Sequence, residues 1–554
     1  MPSCFRMASL GLASAPRRSR ARIQCGPQLC DAALSPRPVR KRIKGRRAMC
    51  DSYLASALLA LVTLLLCGCA PNYAYRTHLV SVDEVHCPLT KVKAQDDARA
   101  VKDCEQVTPE VAQGAYELHF VEFDDQGWLY PDKLAAGDEL AASPSGQIDH
   151  LMNRLRQLLD QNDDLSLIVF VHGWKHNAQS DDYNVRDFRA LLQAAGAEER
   201  DRAGRDGTPR KVVGVYVAWR GRSWVLPDPV LSLSFWARKE AARRVSIGSA
   251  RELFARLRAI RHHYNNASAP GVVTTGAVSE QTSRRPRIRT LMIGHSFGGL
   301  ILYAAMSGPL IEALAAQQDL HGFKEGHELA ERPADMILLI NPAFEASRYE
   351  ALYRVSSRYR PIRFQPPLLV SVTSTKDWAT GIAFPVGRSV NTLFEHEASS
   401  EEGTAMKKTP GHIQHYLTHR LYAHAPGMAS DARTAVQDGD ARCQNWKSEE
   451  ELHGLHDAAL AEAVHLNKKI EAENSTEFFS QNLTQDHLLN SKWARTFCGG
   501  SYLTPVGDNG IDNANAIVWN VEADGEIIKN HDDVMNPAFR AFMRQLYGDV
   551  SMHP

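Results

Sequence analysis

The sequence predicts an α/β protein, a mostly parallel sheet flanked by helices on both faces. Three observations predict it. Short, continuous apolar runs recur at Leu165–Val171, Lys211–Trp219, Leu291–Ile293, Met336–Ile340, Leu368–Thr373 and Ala516–Val521, the pattern of strands buried on both faces. Stretches with apolar residues at helical spacing separate most of them. The chain of 554 residues, 44 % hydrophobic and 23 % charged, is too long for one small core and too apolar to be disordered throughout. Only one stretch approaches the apolarity of a membrane span, which excludes a polytopic membrane protein.

That stretch lies at the front. The 64 Lys+Arg and 64 Asp+Glu cancel overall, but residues 1–69 hold twelve Lys+Arg against two Asp+Glu, so the remainder is acidic. An acidic body offers no basic face for nucleic acid, whose phosphates require clustered cations. The excess includes Arg40, Lys41, Arg42, Lys44, Arg46 and Arg47, followed by an apolar run from Tyr53 to Leu66 and then Leu66-Cys67-Gly68-Cys69. A positive region, a short apolar region and a small residue at the cleavage point make an export signal. The last four residues resemble the lipobox of bacterial lipoproteins. That resemblance implies lipidation of Cys69 as the mature N-terminus, membrane attachment through it, and placement in the cell envelope. With Ala70 rather than Asp after the cysteine, the outer membrane facing the periplasm is expected. Residues 1–38, Pro-, Arg- and Ser-rich with no helical period, are expected to precede the natural start, near Val39. Six of the ten Cys lie at or before Cys69, leaving Cys87, Cys104, Cys443 and Cys498, an even number in an oxidising compartment. Chain order favours Cys87–Cys104 and Cys443–Cys498 among the three possible pairings. No Cys/His spacing implies a zinc site.

Beyond an N-terminal segment (70–115), the regular pattern begins at Tyr116-Glu117-Leu118-His119-Phe120-Val121, an early strand. Ile148, Leu151, Leu155, Leu158 and Leu159 mark a helix face. Further helices are expected at Ala237–Arg244, Glu252–Tyr264, Leu300–Ala316 and Pro537–Tyr547, and a surface loop from Tyr264 to Arg285. Between Gly387 and Asp512 the chain turns polar and His-rich. This region, 388–512, is expected to be a mainly helical or irregular insertion without a buried strand, with a helix over Glu449–Ile470, separating core parts 116–387 and 513–549.

Chemistry concentrates at Gly294-His295-Ser296-Phe297-Gly298-Gly299, between a buried strand and an apolar helix. A GxSxG pattern in this strand–turn–helix context is a nucleophile elbow. Ser296 must occupy a strained tight turn, where side chains at Gly294 and Gly298 would collide with backbone. The turn raises the hydroxyl above the sheet edge and aims the Phe297 N–H at the reacting carbonyl. In these features the chain resembles α/β-hydrolases of the serine esterase and lipase kind, over most of residues 116–390 and 513–549. The resemblance implies a mostly parallel sheet and a catalytic order of Ser, acid, His. It also implies a second oxyanion donor after the His172-Gly173 turn, the Trp174 N–H. His172 itself reads as a buried imidazole tying the loop, and Lys175, His176 and Asn177 as rim residues.

The acid must follow a later strand. Asp377, beyond Leu368–Thr373, fits, with Glu345 after Ile340-Asn341-Pro342 as the rival. The base must lie between the last strand and last helix, where His531 falls, with His412, His415, His419 and His424 in the insertion as rivals. The expectation is therefore a serine hydrolase cleaving carboxylic esters through Ser296, His531 and Asp377, without metal or cofactor. Its substrate would be a small-molecule or lipid ester. The alternatives are a thioesterase, amidase or acyltransferase with the same triad, or a non-catalytic lipoprotein of this fold.

Overall fold

The computed structural model describes residues 72–82, 105–130, 146–204, 207–222, 234–266, 287–319, 322–323, 332–359, 366–392, 395–423, 495–497, 501–506, 516–534 and 536–552. Cys69, the four later cysteines, His424 and the expected helix at Glu449–Ile470 lie outside these residues.

Eleven strands form one sheet. In chain order they are β1 (Glu110–Ala112), β2 (Tyr116–Phe123), β3 (Leu165–Val171), β4 (Lys211–Trp219), β5 (Ile288–His295) and β6 (Met336–Ile340). They continue with β7 (Leu369–Ser374), β8 (His419–Tyr422), β9 (Arg495–Thr496), β10 (Tyr502–Pro505) and β11 (Val518–Ala523). The spatial order is β9-β10-β8-β11-β7-β6-β5-β3-β4-β2-β1. From β8 to β2 every pairing is parallel; β1, β10 and β9 add antiparallel edges. The fold is therefore α/β with a mixed, mostly parallel sheet.

Alternation explains how each apolar run serves two cores. On β3, Leu165, Leu167, Val169 and Val171 join one buried cluster while Ile168 and Phe170 join the other. Helices α1 (Gly146–Asp160), α3 (Phe235–Ile247), α4 (Ala250–Asn266), α5 (Phe297–Ala315) and α6 (Glu350–Ser356) cover the first face. Helices α2 (Tyr183–Ala203) and α9 (Pro537–Met552) cover the second, through Phe188 and Leu192 and through Phe539, Phe542 and Leu546. The expectation that only the front of the chain approaches membrane-span apolarity is corrected. Helix α5 is also long and apolar enough to cross a membrane, but it packs against the sheet as a core helix, because a helix covering a sheet face is apolar on its buried side. Two short helices, α7 (Phe384–Asn391) and α8 (Ser400–Lys407), follow β7.

The chain passes from β3 to β4 on one side, yet β5 pairs on the other. This reversal opens a crevice at the carboxyl ends of β3 and β5, the place where ligands enter open α/β sheets. The N-terminal segment is fastened to the same edge. Glu122 near the end of β2 accepts the Tyr75 and Arg76 N–H groups at 2.9 and 2.8 Å. The buried Arg76 side chain pairs with Glu110 at 2.7 Å and donates to the Ala178 carbonyl at 3.1 Å.

One expectation about the insertion is corrected. The region 388–512 contains buried strand: β8 runs parallel to β11 from His419 to Leu421, and β10 and β9 extend the sheet beyond it. Its four residues are too short to stand out by periodicity, and pairing with β11 supplies what propensity does not. The insertion's start is thus a part of the core sheet.

Candidate active site

Ser296 caps α5 directly after β5, with φ 54° and ψ −118°, a backbone conformation that L-residues with side chains avoid. Such strain costs on the order of 1–3 kcal/mol and persists where the surroundings enforce it. Here the Ser296 N–H donates to the Ile340 carbonyl at 3.0 Å, and its own carbonyl accepts the Ala343 N–H at 3.1 Å. Close approach demands the neighbouring glycines. A Cβ on Gly298 would stand 2.1 Å from the Val171 carbonyl oxygen, and one on Gly173 would stand 2.9 Å from Ser296 Cβ. The start of α5 and the loop after β3 are therefore pressed together around Ser296.

The structure brings the three expected groups into one chain. His531 Nε2 lies 2.7 Å from Ser296 Oγ, placed to accept its proton. His531 Nδ1 donates to both Asp377 oxygens at 2.9 Å. Burial opposes an imidazolium at His531, but the Asp377 charge and hydrogen bond outweigh it and raise the pKa above the ordinary imidazole value. Burial would likewise raise Asp377, yet His531 and Thr380 more than offset it and hold the carboxyl below its usual range.

The Trp174 and Phe297 N–H groups have no backbone acceptor among the described residues. The Trp174 ring meets Phe235 at 5.2 Å, which in turn packs on Phe297 at 4.9 Å, so the side chains build the wall behind the two donors. His172 ties this loop: Nδ1 donates to the Gly173 carbonyl at 2.8 Å and Nε2 accepts the Trp219 N–H at 3.0 Å. Burial pushes its pKa down to about 4, so it stays neutral and keeps this tautomer. Beyond it, His176 pairs with Asp182 at 2.9 Å, and the Asn177 amide caps the Gln179 side chain at 3.0 Å.

The rivals are engaged elsewhere. Glu345 is buried against Lys239, with Arg348 at 3.1 Å and Arg388 at 3.2 Å. Burial would raise its pKa, but the Lys239 charge prevails and holds it at about 2. His415 packs its ring on Tyr353 at 4.9 Å, and His419 is buried in β8 beside Trp519 at 4.5 Å.

His412 has a different place. Its Nε2 lies 3.0 Å from Thr380 Oγ1, which donates at 2.5 Å to Asp377 Oδ2. With its own hydrogen given to the carboxylate, the Thr380 oxygen accepts the His412 N–H. Ala379 and Thr380 N–H groups add bonds to Asp377 Oδ1 at 2.9 and 3.2 Å. Asp377 is thereby held by three donors besides His531. Under the hydrolase function proposed below, Thr380→Val should lower kcat about tenfold with little change in KM, because a hydrogen bond to a charged group is lost. Thr380→Ser should restore it, and steady-state kinetics on the folded variants decide.

Sequence reasoning missed the groups that hold His531. His295 Nε2 donates to the His531 carbonyl at 2.9 Å, and Asn341 Nδ2 donates to the same oxygen at 3.0 Å. Asn341 adopts φ 45°, and its Oδ1 accepts the Ser374 N–H at 2.9 Å, linking β6, β7 and the His531 loop. Ser374 Oγ donates to the Ile528 carbonyl at 2.6 Å. The available signal was position: each of these polar residues ends a buried strand at the edge that carries Ser296. Burial, and then the neighbouring His531, hold the His295 pKa well below the ordinary imidazole value, which disfavours a second cation beside His531.

His295, His531 and Asp532 offer ligand atoms within 4.8 Å of one another. Both ring nitrogens of His531 are committed to Ser296 and Asp377, so a cation there would compete with the hydrogen-bonded chain rather than complete it. Comparison with known proteins identifies no relative: no family model, curated protein or solved structure matches this chain.

Proposed function

We propose that this chain is a serine hydrolase of the α/β-hydrolase kind that cleaves carboxylic esters. The observation that carries the reading is the unbroken chain Ser296 Oγ to His531 Nε2 at 2.7 Å and His531 Nδ1 to Asp377 at 2.9 Å, on a strained turn above a parallel sheet. Ser296 Oγ attacks the ester carbonyl while His531 Nε2 takes its proton. The Trp174 and Phe297 N–H groups receive the oxyanion. Collapse expels the alcohol, protonated by His531, and leaves an acyl group on Ser296. Water, deprotonated by His531, then attacks the acyl carbonyl and releases the acid. Asp377 stays ionised, orients the ring and stabilises the imidazolium formed in each half. We further read Cys69 as the lipidated N-terminus of an envelope lipoprotein.

Fluorophosphonate labelling tests the proposal. The probe should attach to Ser296 in wild-type protein and fail to attach in Ser296→Ala; labelling elsewhere, or none, would refute the reading.

The proposed mechanism predicts an acid limb with a displaced midpoint. His531 must be neutral to accept the Ser296 proton, so activity falls as pH drops through its pKa. Because Asp377 raises that pKa, the midpoint in kcat/KM should lie above ~6.5, the value of an unperturbed imidazole. The residual activity of Asp377→Asn should show the limb moved to lower pH. A pH profile of the two proteins measures both shifts.

A further inference from the structure

We propose that the edge of the sheet carrying Ser296 docks on a lipid bilayer, and that the ester reaches the enzyme from that bilayer. The inference rests on the hydrolase reading for its substrate and on the membrane-directed front of the chain for its occupant. The docking surface itself stands on geometry.

Large hydrophobic side chains exposed by 49–70 % among the described residues gather at one edge. Strands β2, β3 and β7 run parallel, so their carboxyl ends share it. Trp378 lies just past β7, and Ile382 and Val386 follow at i+4 and i+8 through the π-turn Ala379–Ala383 into α7. They form an outward apolar stripe that begins beside Asp377. Trp128 sits in the turn after β2, where its carbonyl accepts the Asp124 N–H at 2.8 Å. Tyr183 opens α2 after the β3 loop. Tyr73 packs on Tyr75 at 5.7 Å, and the Tyr75 N–H is bound to Glu122. Ile247 belongs with Trp128, since the following segment donates the Ser249 N–H to the Gly127 carbonyl at 2.8 Å. A soluble surface scatters single apolar residues, whereas a gathered set marks an interaction face.

The chain itself says what meets this face. Asn72 is pinned here, its Oδ1 accepting the Tyr130 hydroxyl at 2.6 Å. Cys69 stands three residues earlier, preceded by the apolar run Tyr53–Leu66 and the basic cluster Arg40–Arg47. Three residues reach about 10 Å at full extension. With Cys69 lipidated, the membrane surface lies within that reach of Asn72 at this edge. The exposed charges nearby are mixed, Lys376 and Lys529 with Glu526 and Asp532, so attachment is apolar and interfacial rather than a response to anionic headgroups. Tyr and Trp suit such a boundary, with an apolar ring and a polar tip.

Photo-cross-linking tests this. The wild-type protein, produced in a bacterial host, is reconstituted into phosphatidylcholine vesicles containing a diazirine-bearing phosphatidylcholine, and cross-linked peptides are mapped by mass spectrometry. Cross-links should fall on the peptide spanning Trp378–Val386 and on those with Trp128 or Tyr183, but not on the Lys211 end of β4 at the opposite edge. Adding phosphatidylglycerol should leave the pattern unchanged. The triple variant Trp378→Ser, Ile382→Ser, Val386→Ser should lose about tenfold of the edge labelling. Its apparent KM for a vesicle-borne ester should rise similarly, with hydrolysis of a soluble aryl ester unchanged. Cross-links confined to the N-terminal peptide, or spread equally over both edges, would overturn the proposal. Intact mass reports lipidation of Cys69 separately, and fluorophosphonate labelling reports the Ser296 reading. Failure of either leaves the cross-link map to judge the edge.

Discussion

Ser296→Ala should reduce ester hydrolysis by about 10⁴–10⁶-fold, and His531→Ala should do nearly the same. The two groups act as one unit, at 2.7 Å from Oγ to Nε2, so the double variant should be little worse than either single one. Each substitution removes atoms without disturbing the fold. The Ser296 backbone is held by bonds from its own N–H and carbonyl, and the His531 carbonyl stays bound to His295 and Asn341. His415→Ala should leave turnover close to wild type, because its ring packs on Tyr353 and not on the reacting groups. The measurement is aryl-ester turnover on protein whose unfolding transition matches wild type. An active His531→Ala protein would mean that another group serves as base.

Asp377→Asn should cost about 10⁴-fold in kcat, whereas Glu345→Gln should cost stability rather than rate. An asparagine at 377 would donate to His531 Nδ1 and stabilise the tautomer with hydrogen on Nε2, which cannot accept the Ser296 proton. Thr380 and the Ala379 and Thr380 N–H groups would lose their anionic acceptor as well. Glu345 is equally buried but holds Lys239, whose side chain is 5 % exposed. Neutralising one member of a buried ion pair strands the other charge, a loss of about 3 kcal/mol. Arg348 and Arg388 would be deprived of a partner too. Chemical denaturation should therefore separate the two variants in one direction and turnover in the other. Acid should loosen the fold around both carboxylates. Each has a lowered pKa when folded, so its stabilising contribution is present above the unfolded pKa and is lost as pH falls through the folded one.

Much of this site was legible because its determinants are local or ordered along the chain. Gly294-His295-Ser296-Phe297-Gly298 encodes its own turn: the glycines are needed within a few residues, and the flanking strand and helix announce themselves by periodicity. Asp377 and His531 are distant from Ser296 in sequence, but each follows a buried strand, and the parallel sheet delivers such positions to one edge. Glu345 follows a buried strand too. What separates it from Asp377 is Lys239 on α3, a contact between residues far apart in the chain.

The sequence by itself determined the α/β class and the strained serine turn, because these depend on periodicity and short-range sterics; the expected order of Ser296, Asp377 and His531 came from the resemblance to α/β-hydrolases. Tertiary structure alone decided the rest. It placed four residues, His419–Tyr422, in the sheet beside β11, since a strand that short is specified by its neighbour's open edge. It set His412 behind Thr380 and turned His295 and Asn341 onto the His531 carbonyl, since a buried polar group takes whichever partner the packing brings within reach. It gathered Trp128, Tyr183 and Trp378 on one edge, since parallel strands send the loops that follow them to the same end of the molecule.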